Sequence, residues 1–307
     1  MVSKDNRPTV IIPTLNAQDS IGKLLEYLIA QEVDILVLDS SSTDSTIDII
    51  KSYNVDYLVI PKEEFDHGGT RTLGAKQCYE ADFLIYLTQD ALPYNEESIH
   101  NILQPFEDAT VGAVYGRQIA YPNETLFGEH LRLFNYKPTS YLRSYEDKEQ
   151  YGIKTAFLSN SFTAYRLKVL QEIGYFKDRL ILGEDMYAGA KMLQNGYKIA
   201  YNCDAKVYHS HGYSIKQEFK RYFDIGVFHR NEEWILDDFG KAEGEGIAFV
   251  KSELNYLAKK RKIYLIPIAI IRTGAKYLAY KLGYYHNYLP KYWIKKMSMH
   301  KRWWIKE

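Results

Sequence analysis

The first ninety residues alternate between short apolar runs and amphipathic segments, and this alternation constrains the fold more than any other feature. The apolar runs predict four strands, at Thr9–Pro13, Asp34–Asp39, Val55–Ile60 and Phe83–Leu87. A nearly unbroken apolar run such as DILVLD is typical of a parallel strand that is buried on both faces. Strand–helix alternation predicts an α/β fold with a mainly parallel sheet, whose ligands bind at the carboxyl ends of its strands.

The remaining elements are predicted from local patterns. Helices are predicted at Asp19–Ala30, at Ser45–Tyr53 with Asp44 as the N-cap, and at Thr72–Glu80 after a loop at Phe65–Arg71. Later patterns predict strands at Val111–Tyr115 and Ala156–Arg166, a helix at Asp185–Asn195, and a short β pair from Ile199–Asn202 and Ala205–Tyr208. Helices dominate from Ser214 onward. We therefore expect an α/β domain over residues 1–215 and a helical C-terminal region over residues 216–307.

The 307 residues carry no net charge, but the charges are unevenly distributed. Residues 251–307 hold 14 Lys and Arg against two acidic residues, whereas residues 1–250 hold 25 against 37. Aromatic residues are interleaved with the C-terminal cations, at Tyr277, Tyr280, Tyr284, Tyr285, Tyr288, Tyr292, Trp293, Trp303 and Trp304. This mixture favours an anionic membrane surface, where rings lie at headgroup depth and cations meet lipid phosphates. The alternatives are packing on the acidic domain or on a second copy as a homodimer, and nucleic acid is the least favoured partner.

The location of the protein is predicted from features that the chain lacks. The polar N-terminus, Met1–Thr9, argues against a signal peptide, and no apolar run approaches the roughly 20 residues that span a bilayer. Two cysteines, Cys78 and Cys203, are too few for a disulfide framework and suit a reducing compartment. We therefore expect a cytoplasmic protein that lies peripherally on the inner face of the cell membrane.

Polar segments follow four of the predicted strands. They are Pro13–Asn16, Asp39–Asp44, Asp66–Arg71 and Gln89–Ala91. Each segment alone has an ordinary explanation as a turn or a helix cap. Because the carboxyl ends of parallel strands meet at one edge of a sheet, we expect the four segments to converge on a single site.

These segments resemble family 2 glycosyltransferases with the GT-A fold, over roughly residues 8 to 230. The strings VIIPTLN, VLDSSSTDST and GEDMYAGAKMLQNGY follow the order found in that family. The strings FDHGGTRTLGA, TQDALP, SNSFTAYR and VYHSHGYS resemble its bacterial rhamnosyltransferase branch, which acts in surface-polysaccharide synthesis. The resemblance implies an inverting transferase that moves L-rhamnose from TDP-rhamnose to a lipid-linked saccharide. The alternatives are a UDP-hexose or UDP-N-acetylhexosamine transferase of the same fold, and a non-catalytic nucleotide-binding scaffold subunit.

The resemblance also implies which residues bind the nucleotide-sugar donor. Thr14 and Asn16 would line the nucleoside site, and Asp39 would accept the pyrimidine N3–H. Arg71 offers a planar fork for phosphate or for a base edge, and Asp66 would orient Arg71 or touch the nucleotide. The donor site would also include Gln89 and Asp90.

A divalent cation, Mn²⁺ or Mg²⁺, is implied at Asp90, where it would bridge the donor phosphates. The family's usual Asp-x-Asp is Asp90–Ala91–Leu92 here, so the second carboxylate is missing. His209 or His211 would supply a further ligand. Residues at i and i+2 of a strand face opposite sides, which predicts that only one of them ligates, with His209 preferred.

The catalytic base is implied at Glu184–Asp185, where the Asp of such a pair takes the proton from the acceptor hydroxyl. Neighbours on a helix lie about 100° apart, so only one of the two is expected to point into the site. Ser159, Asn160 and Ser161 are implied to bind the acceptor, because short polar side chains there would meet sugar hydroxyls.

Overall fold

The computed structural model describes residues 8–240 and 244–306. The predicted polar N-terminus therefore lies outside the described residues, except for its last two positions. Nine strands are described: β1 Thr9–Thr14, β2 Asp34–Asp39, β3 Asp56–Val59, β4 Phe83–Leu87, β5 Leu92–Pro93, β6 Val111–Ile119, β7 Tyr141–Arg143, β8 Phe162–Arg166 and β9 Lys198–Tyr208. They form one sheet in the order β3-β2-β1-β4-β8-β6-β9-β5, and β7 pairs with β9.

Fourteen α-helices are described. They are α1 Ile21–Ala30, α2 Thr46–Ser52, α3 His67–Gln77, α4 Ser98–Leu103, α5 Leu126–Asn135, α6 Lys148–Tyr151, α7 Leu167–Glu172, α8 Glu184–Gln194, α9 Ile215–Asn231, α10 Glu233–Phe239, α11 Glu245–Lys259, α12 Ile266–Tyr284, α13 Lys291–Met297 and α14 Trp303–Lys306. The α/β architecture and the helical C-terminal region are confirmed. In the described part of the chain, no helix is both long and apolar enough to cross a bilayer.

The first four strands of the sheet are parallel. β1 lies between β2 and β4, and β2 pairs with β3. Alternate residues of β1 point to opposite faces, because Val10 and Ile12 pack in one apolar cluster while Ile11 packs in the other. Burial on both faces explains why the interior of β1 is apolar, whereas β3, at the edge of the sheet, is only partly buried. β8 runs antiparallel to β4 and carries the sheet into its second half.

Three local predictions are wrong. The segment Phe65–Arg71 is not a loop, because α3 begins at His67 and includes the glycine pair. The two short strands Ile199–Asn202 and Ala205–Tyr208 form the single strand β9, which is irregular where it pairs with β6. Ala156 lies in a 3-10 turn, so β8 begins only at Phe162.

The start of α2 differs from the prediction in a smaller way. Ser45 occupies the N-cap position, and it makes no side-chain cap hydrogen bond. The backbone N–H of Thr46 instead donates to the carboxylate of Asp44, 3.1 Å away. Asp44 therefore stabilises the first turn from one position further out.

The C-terminal helices pack directly on the α/β part of the chain. α9 and α12 cross at two glycines, and a Cβ at Gly226 would lie 2.2 Å from the carbonyl oxygen of Tyr280. A Cβ at Gly283 would lie 1.9 Å from the carbonyl oxygen of Phe223. Phe223 belongs to the same apolar cluster as Ile11 of β1. The division at residue 215 stays a prediction.

Candidate active site

A continuous cleft of about 1640 Å³ lies along the carboxyl ends of β1 and β4. Thr14 lines it at the end of β1, and Gln89 and Asp90 line it just after β4. Typical small-molecule sites occupy roughly 300–1,000 Å³, so this cleft has room for more than one ligand. The predicted convergence of these segments at one sheet edge corresponds to this cleft.

Asp90 and two histidines form a cluster in the wall of the cleft. The Nε2 atoms of His209 and His211 each lie 3.6 Å from a different carboxylate oxygen of Asp90. The three ligand atoms lie within 4.8 Å of one another. Both histidines reach Asp90 because β9 ends at Tyr208, so the strand alternation that separates i and i+2 no longer applies. The expectation that only one of the two histidines could ligate is therefore not supported by the geometry.

The ring of His209 is held in one orientation by Gln118. His209 Nδ1 lies 2.9 Å from Gln118 Oε1, while Gln118 Nε2 donates to Ser159 Oγ at 2.8 Å. Because the amide oxygen accepts, Nδ1 carries the proton and Nε2 presents its lone pair to Asp90. Burial lowers the pKa of His209 to about 3, so the ring is neutral at pH 7.

These groups match what a divalent cation requires. A neutral imidazole lone pair and a carboxylate oxygen face each other at 3.6 Å without a hydrogen bond between them. His211 Nε2 faces the second oxygen of Asp90 in the same way, and the ring of His211 stacks on Tyr213. Nitrogen and oxygen ligands with a hydrogen bond that orients the imidazole suit Mn²⁺, and a donor diphosphate would complete the oxygen set.

Glu184 lies at the start of α8, and its carboxylate is bound by two side chains. Its carboxylate lies 3.2 Å from Arg71 Nη1 and accepts from Asn160 Nδ2 at 3.1 Å. Burial alone would raise the pKa of Glu184, but the charge of Arg71 and the hydrogen bond from Asn160 hold it below its usual value. Glu184 is therefore a buried, ionised partner of Arg71.

Asp185 is the neighbouring carboxylate, and it has only backbone partners. Its two oxygens accept from the N–H groups of Asn160, at 3.2 Å, and of Met186, at 2.8 Å. Burial, followed by the negative charge of Glu184, raises the pKa of Asp185 to about 7. A carboxylate with this pKa is well matched to accept a proton near neutral pH. Both acids line the cleft, but only Asp185 is free of a cationic partner at 4.0 Å or less among the described residues.

The glycine before the two acids positions the helix. Gly183 has φ +83°, in the left-handed region that favours glycine. A Cβ at Gly183 would also lie 2.8 Å from the ring of Phe228. Glycine is therefore required both by the backbone and by the packing, and it lets α8 start beside Asn160.

Two of the predicted nucleoside residues, Asp39 and Asn16, are not among the residues that line the cleft. Asp39 is fully buried, and it accepts from the N–H of Ser42 at 2.8 Å. Asn16 accepts from the N–H of Thr43 at 2.9 Å, and its own N–H donates to Ser42 Oγ at 2.8 Å. These bonds tie the segments after β1 and β2 together. Their roles in nucleoside binding stay predictions.

Gln89 and Asp66 also have identifiable structural partners. Gln89 Oε1 accepts from the N–H of Leu15 at 2.7 Å, and its Nε2 donates to the carbonyl of Leu15 at 3.2 Å. Asp66 caps α3 by accepting from the N–H of Gly69, and it accepts from the N–H of Arg179 at 3.0 Å. The expected contact from Asp66 to Arg71 is replaced by the ion pair between Arg71 and Glu184.

The predicted acceptor segment lies between the Asp90–His209–His211 cluster and Asp185. Ser159, Asn160 and Ser161 all line the cleft. Ser159 is bonded to Gln118 on the side of the histidines, and Asn160 is bonded to both acids on the other side. The structure therefore places this segment next to both the Asp90–His209–His211 cluster and the acidic pair Glu184–Asp185.

Three cleft residues were not found by sequence reasoning. Gln118 orients His209 across 91 residues of sequence. Arg132 and Arg221 line the cleft on α5 and α9, and neither has a carboxylate within ion-pair distance in the described residues. Burial lowers the pKa of His209 most, and the positive charges of both arginines add to that effect. No local motif marks these three positions.

Comparisons with known proteins identify the family. Residues 9–174 match the glycosyl transferase family 2 domain. The chain is 44% identical, over 96% of its length and 95% of the relative, to the O-antigen chain rhamnosyltransferase WbaN of Salmonella anatum. It is 43% identical, over the same shares, to the O-antigen chain rhamnosyltransferase RfbN of Salmonella typhimurium.

A solved structure shares the fold. The mannosyltransferase PcManGT of Pyrobaculum calidifontis, in complex with GDP-Man and Mn²⁺, superposes with a TM-score of 0.56 at 18% identity. The match covers 98% of this chain and 86% of the mannosyltransferase. The chain therefore belongs to glycosyltransferase family 2, has the GT-A fold and is a glycosyltransferase.

Proposed function

We propose that the protein is an inverting α-L-rhamnosyltransferase that uses TDP-rhamnose and a lipid-linked saccharide acceptor in surface-polysaccharide synthesis. The observation that carries the sugar is the 44% identity to an O-antigen chain rhamnosyltransferase over nearly the whole chain. The observation that carries the chemistry is the presence of Asp185 and the Asp90–His209–His211 cluster in one cleft.

Asp185 is the proposed base. Its carboxylate accepts the proton of the acceptor hydroxyl while that oxygen attacks the anomeric carbon of the donor from the face opposite the diphosphate. One base and one stabilised leaving group are sufficient for a single displacement, so no covalent intermediate is needed. Glu184 supports this role because its negative charge helps to keep the pKa of Asp185 high.

The leaving diphosphate is proposed to lie between the Asp90–His209–His211 cluster and the two cleft arginines, Arg132 and Arg221. A divalent cation, Mn²⁺ or Mg²⁺, held by Asp90, His209 and His211 would stabilise the charge that develops on the diphosphate. Arg132 and Arg221 offer planar guanidinium groups, which bind phosphate oxygens in pairs. By binding the phosphates directly, the two arginines would compensate for the missing second carboxylate of the Asp-x-Asp motif.

The donor is tested by turnover of a nucleotide-sugar panel in Mn²⁺, with TDP-rhamnose, UDP-glucose, UDP-galactose and UDP-N-acetylglucosamine as substrates. We expect TDP-rhamnose to be consumed fastest. Faster consumption of a UDP sugar would keep the transferase assignment and overturn the rhamnose assignment. Binding of nucleotide without turnover of any donor would favour the non-catalytic scaffold reading.

Membrane association is proposed through the outer face of α12 and the segment before it. Tyr264, Ile268, Ile271 and Leu278 recur at helical spacing and are exposed, with 70% of Tyr264 accessible. The inward face carries Ala269 and Ala279, which are buried. An exposed apolar stripe of this length suits the headgroup boundary of a bilayer. Four exposed cations at residues 259–262 precede it and suit anionic lipid.

The membrane proposal is tested by cosedimentation with phosphatidylglycerol vesicles. Replacing the four cations at 259–262 with Gln should weaken binding at least about tenfold, since each cation near an anionic surface contributes about 1 kcal/mol. Ile271→Ser should also weaken binding, while Ile29→Ser, at an exposed position on α1, should not. Unchanged binding in the first two variants would refute the proposal. Conversion of a dimer to a monomer by Ile271→Ser would assign this face to a homodimer.

A further inference from the structure

The cleft continues away from the reacting centre into the C-terminal helices. Three helices each contribute two residues one turn apart to this part, which we call the helical arm: Glu218 and Tyr222 of α9, Phe249 and Glu253 of α11, and Arg272 and Lys276 of α12. Spacing of four residues places each pair on one helix face. The helical arm lines the same cleft as Asp185, and none of its six residues is among those assigned to donor binding.

Lys276 is the most unusual residue of the helical arm. It is 8% exposed, and its ammonium makes no hydrogen bond or ion pair within 4.0 Å among the described residues. Its Nζ lies over the ring of Phe249, 4.5 Å from the centroid. A buried ammonium is costly unless it is paired, and burial lowers the pKa of Lys276 accordingly. A residue kept at that cost, with three N–H donors beside a cleft, suggests a ligand.

The acids of the helical arm also have unused hydrogen-bonding capacity. Glu218 Oε1 pairs with Arg272 at 2.8 Å, but Glu218 Oε2 is buried without a partner. Glu253 is 3% exposed, and its carboxylate lies 3.8 Å from His130 Nδ1, which is too long for a hydrogen bond. Burial lowers the pKa of His130 to about 4, so this ring is neutral at pH 7 and does not pair with the carboxylate. Buried polar groups are normally satisfied, so open donors and open acceptors in one place require explanation.

This combination selects the chemical class of ligand. Open donors and open acceptors, together with the rings of Tyr222 and Phe249, match a neutral sugar, whose hydroxyls both donate and accept and whose ring packs on aromatic faces. A phosphate would be attracted by Lys276 but would also meet the carboxylates of Glu218 and Glu253. We propose that the helical arm binds a neutral hexose unit of the acceptor, next to the unit that receives the new sugar.

The proposal rests on the proposed transferase function, and it gives the C-terminal helices a second role. α12 would carry the exposed stripe on its outer face and sugar-binding residues on its inner face. An acceptor anchored in the bilayer would then reach Asp185 through the helical arm. Arg272 acts as a positioning residue, because it fixes Glu218 and donates to the carbonyl of Tyr213 at 2.8 Å.

The test separates acceptor use from donor use. Donor hydrolysis without acceptor, and transfer from TDP-rhamnose to a panel of octyl dihexosides, are measured in the wild type, Lys276→Met and Glu253→Gln. Both variants should raise the KM for the octyl dihexoside about 10-fold to 100-fold, as expected for loss of a hydrogen bond to a charged group. The rate of donor hydrolysis and the KM for donor should stay within about twofold of the wild-type values. Lys281→Met, at an exposed position on the same helix, is the matched control.

Thermal unfolding distinguishes a binding role from a structural one. If Lys276 serves a ligand, Lys276→Met removes a buried unpaired charge and its Tm should equal or exceed that of the wild type. A large fall in Tm with unchanged acceptor KM in Glu253→Gln would make the cluster structural and overturn the proposal. Three other results would also overturn the proposal: a changed KM for donor, failure of every dihexoside to accelerate donor consumption by the wild type, and competition between inorganic pyrophosphate and the dihexoside that depends on Lys276. If the wild type consumes no donor at all, the transferase proposal itself fails.

Discussion

The ionisation of Asp185 should control the acid side of the pH–rate profile. Burial and the charge of Glu184 raise the pKa of Asp185 from 3.8 to about 7. A base acts only when it is deprotonated, so activity is present above this pKa and is lost as the pH falls through it. With one such group, kcat/KM should be about tenfold below its plateau at pH 6 and about 100-fold below it at pH 5.

The assay is kcat/KM for donor between pH 5 and pH 9, with acceptor and Mn²⁺ saturating. Asp185→Asn should lower the plateau by about 10²- to 10⁴-fold and abolish the acid limb. Donor binding should persist, because Asp185 contacts only the backbone of Asn160 and Met186. Glu184→Gln removes the neighbouring negative charge, so the acid limb should move to lower pH.

Two results would refute this reasoning. A profile that stays flat to pH 5 in the wild type would show that Asp185 titrates as an ordinary aspartate or is not the base. An acid limb that survives in Asp185→Asn would assign the titration to another group. Donor binding and thermal unfolding of each variant confirm that the cleft is intact.

Three further predictions concern residues that support the site. Gln118→Ala should weaken Mn²⁺ activation about 10- to 100-fold, because it removes the group that orients His209, and a Mn²⁺ titration of activity that matches the wild type would contradict this. Gly183→Ala should destabilise by more than about 2 kcal/mol in denaturant unfolding, because both φ and Phe228 oppose a Cβ, whereas Gly196→Ala, at φ +82° with open space, should cost only about 1–2 kcal/mol. Gly283→Ala should lower Tm, because its Cβ would meet the backbone of α9, while Gly274→Ala in open space on the same helix should raise it.

The first strands were predictable from sequence because one physical effect dominates them. A strand that is buried on both faces must be apolar throughout, so its ends coincide with the first polar residues. The bounds of β2 and β4 agree with the prediction at both ends. The same reasoning placed Asp90 at the edge of the sheet, because polar residues after a parallel strand lie at the ligand-binding edge.

The error at α3 has a physical cause. Because glycine is conformationally free, the pair Gly68–Gly69 indicates a loop. In the structure, Gly68 lies within a helix and is glycine because a Cβ there would lie 1.8 Å from the carbonyl oxygen of Lys177. That contact joins segments more than 100 residues apart, and a local pattern contains no information about it.

The choice between Glu184 and Asp185 also required tertiary structure. The two acids are adjacent, and both lie in the first turn of α8. They differ because Arg71 reaches Glu184 from α3, while Asp185 is met only by backbone N–H groups. Arg71, which gives the two acids different roles, lies in a distant segment of the chain. Gln118, which accepts a hydrogen bond from His209, is likewise distant from it in sequence.

The central claim is most directly tested by thermal unfolding with TDP, UDP or GDP, each with and without Mn²⁺. A ligand at 100 times its Kd should stabilise the protein by about 2.7 kcal/mol, which corresponds to several degrees. We predict that TDP with Mn²⁺ gives the largest shift, and that His209→Ala loses the part of the shift that depends on metal. A larger shift with UDP or GDP would contradict the TDP-rhamnose assignment. Absence of any shift that depends on Mn²⁺ would contradict the role of the Asp90–His209–His211 cluster.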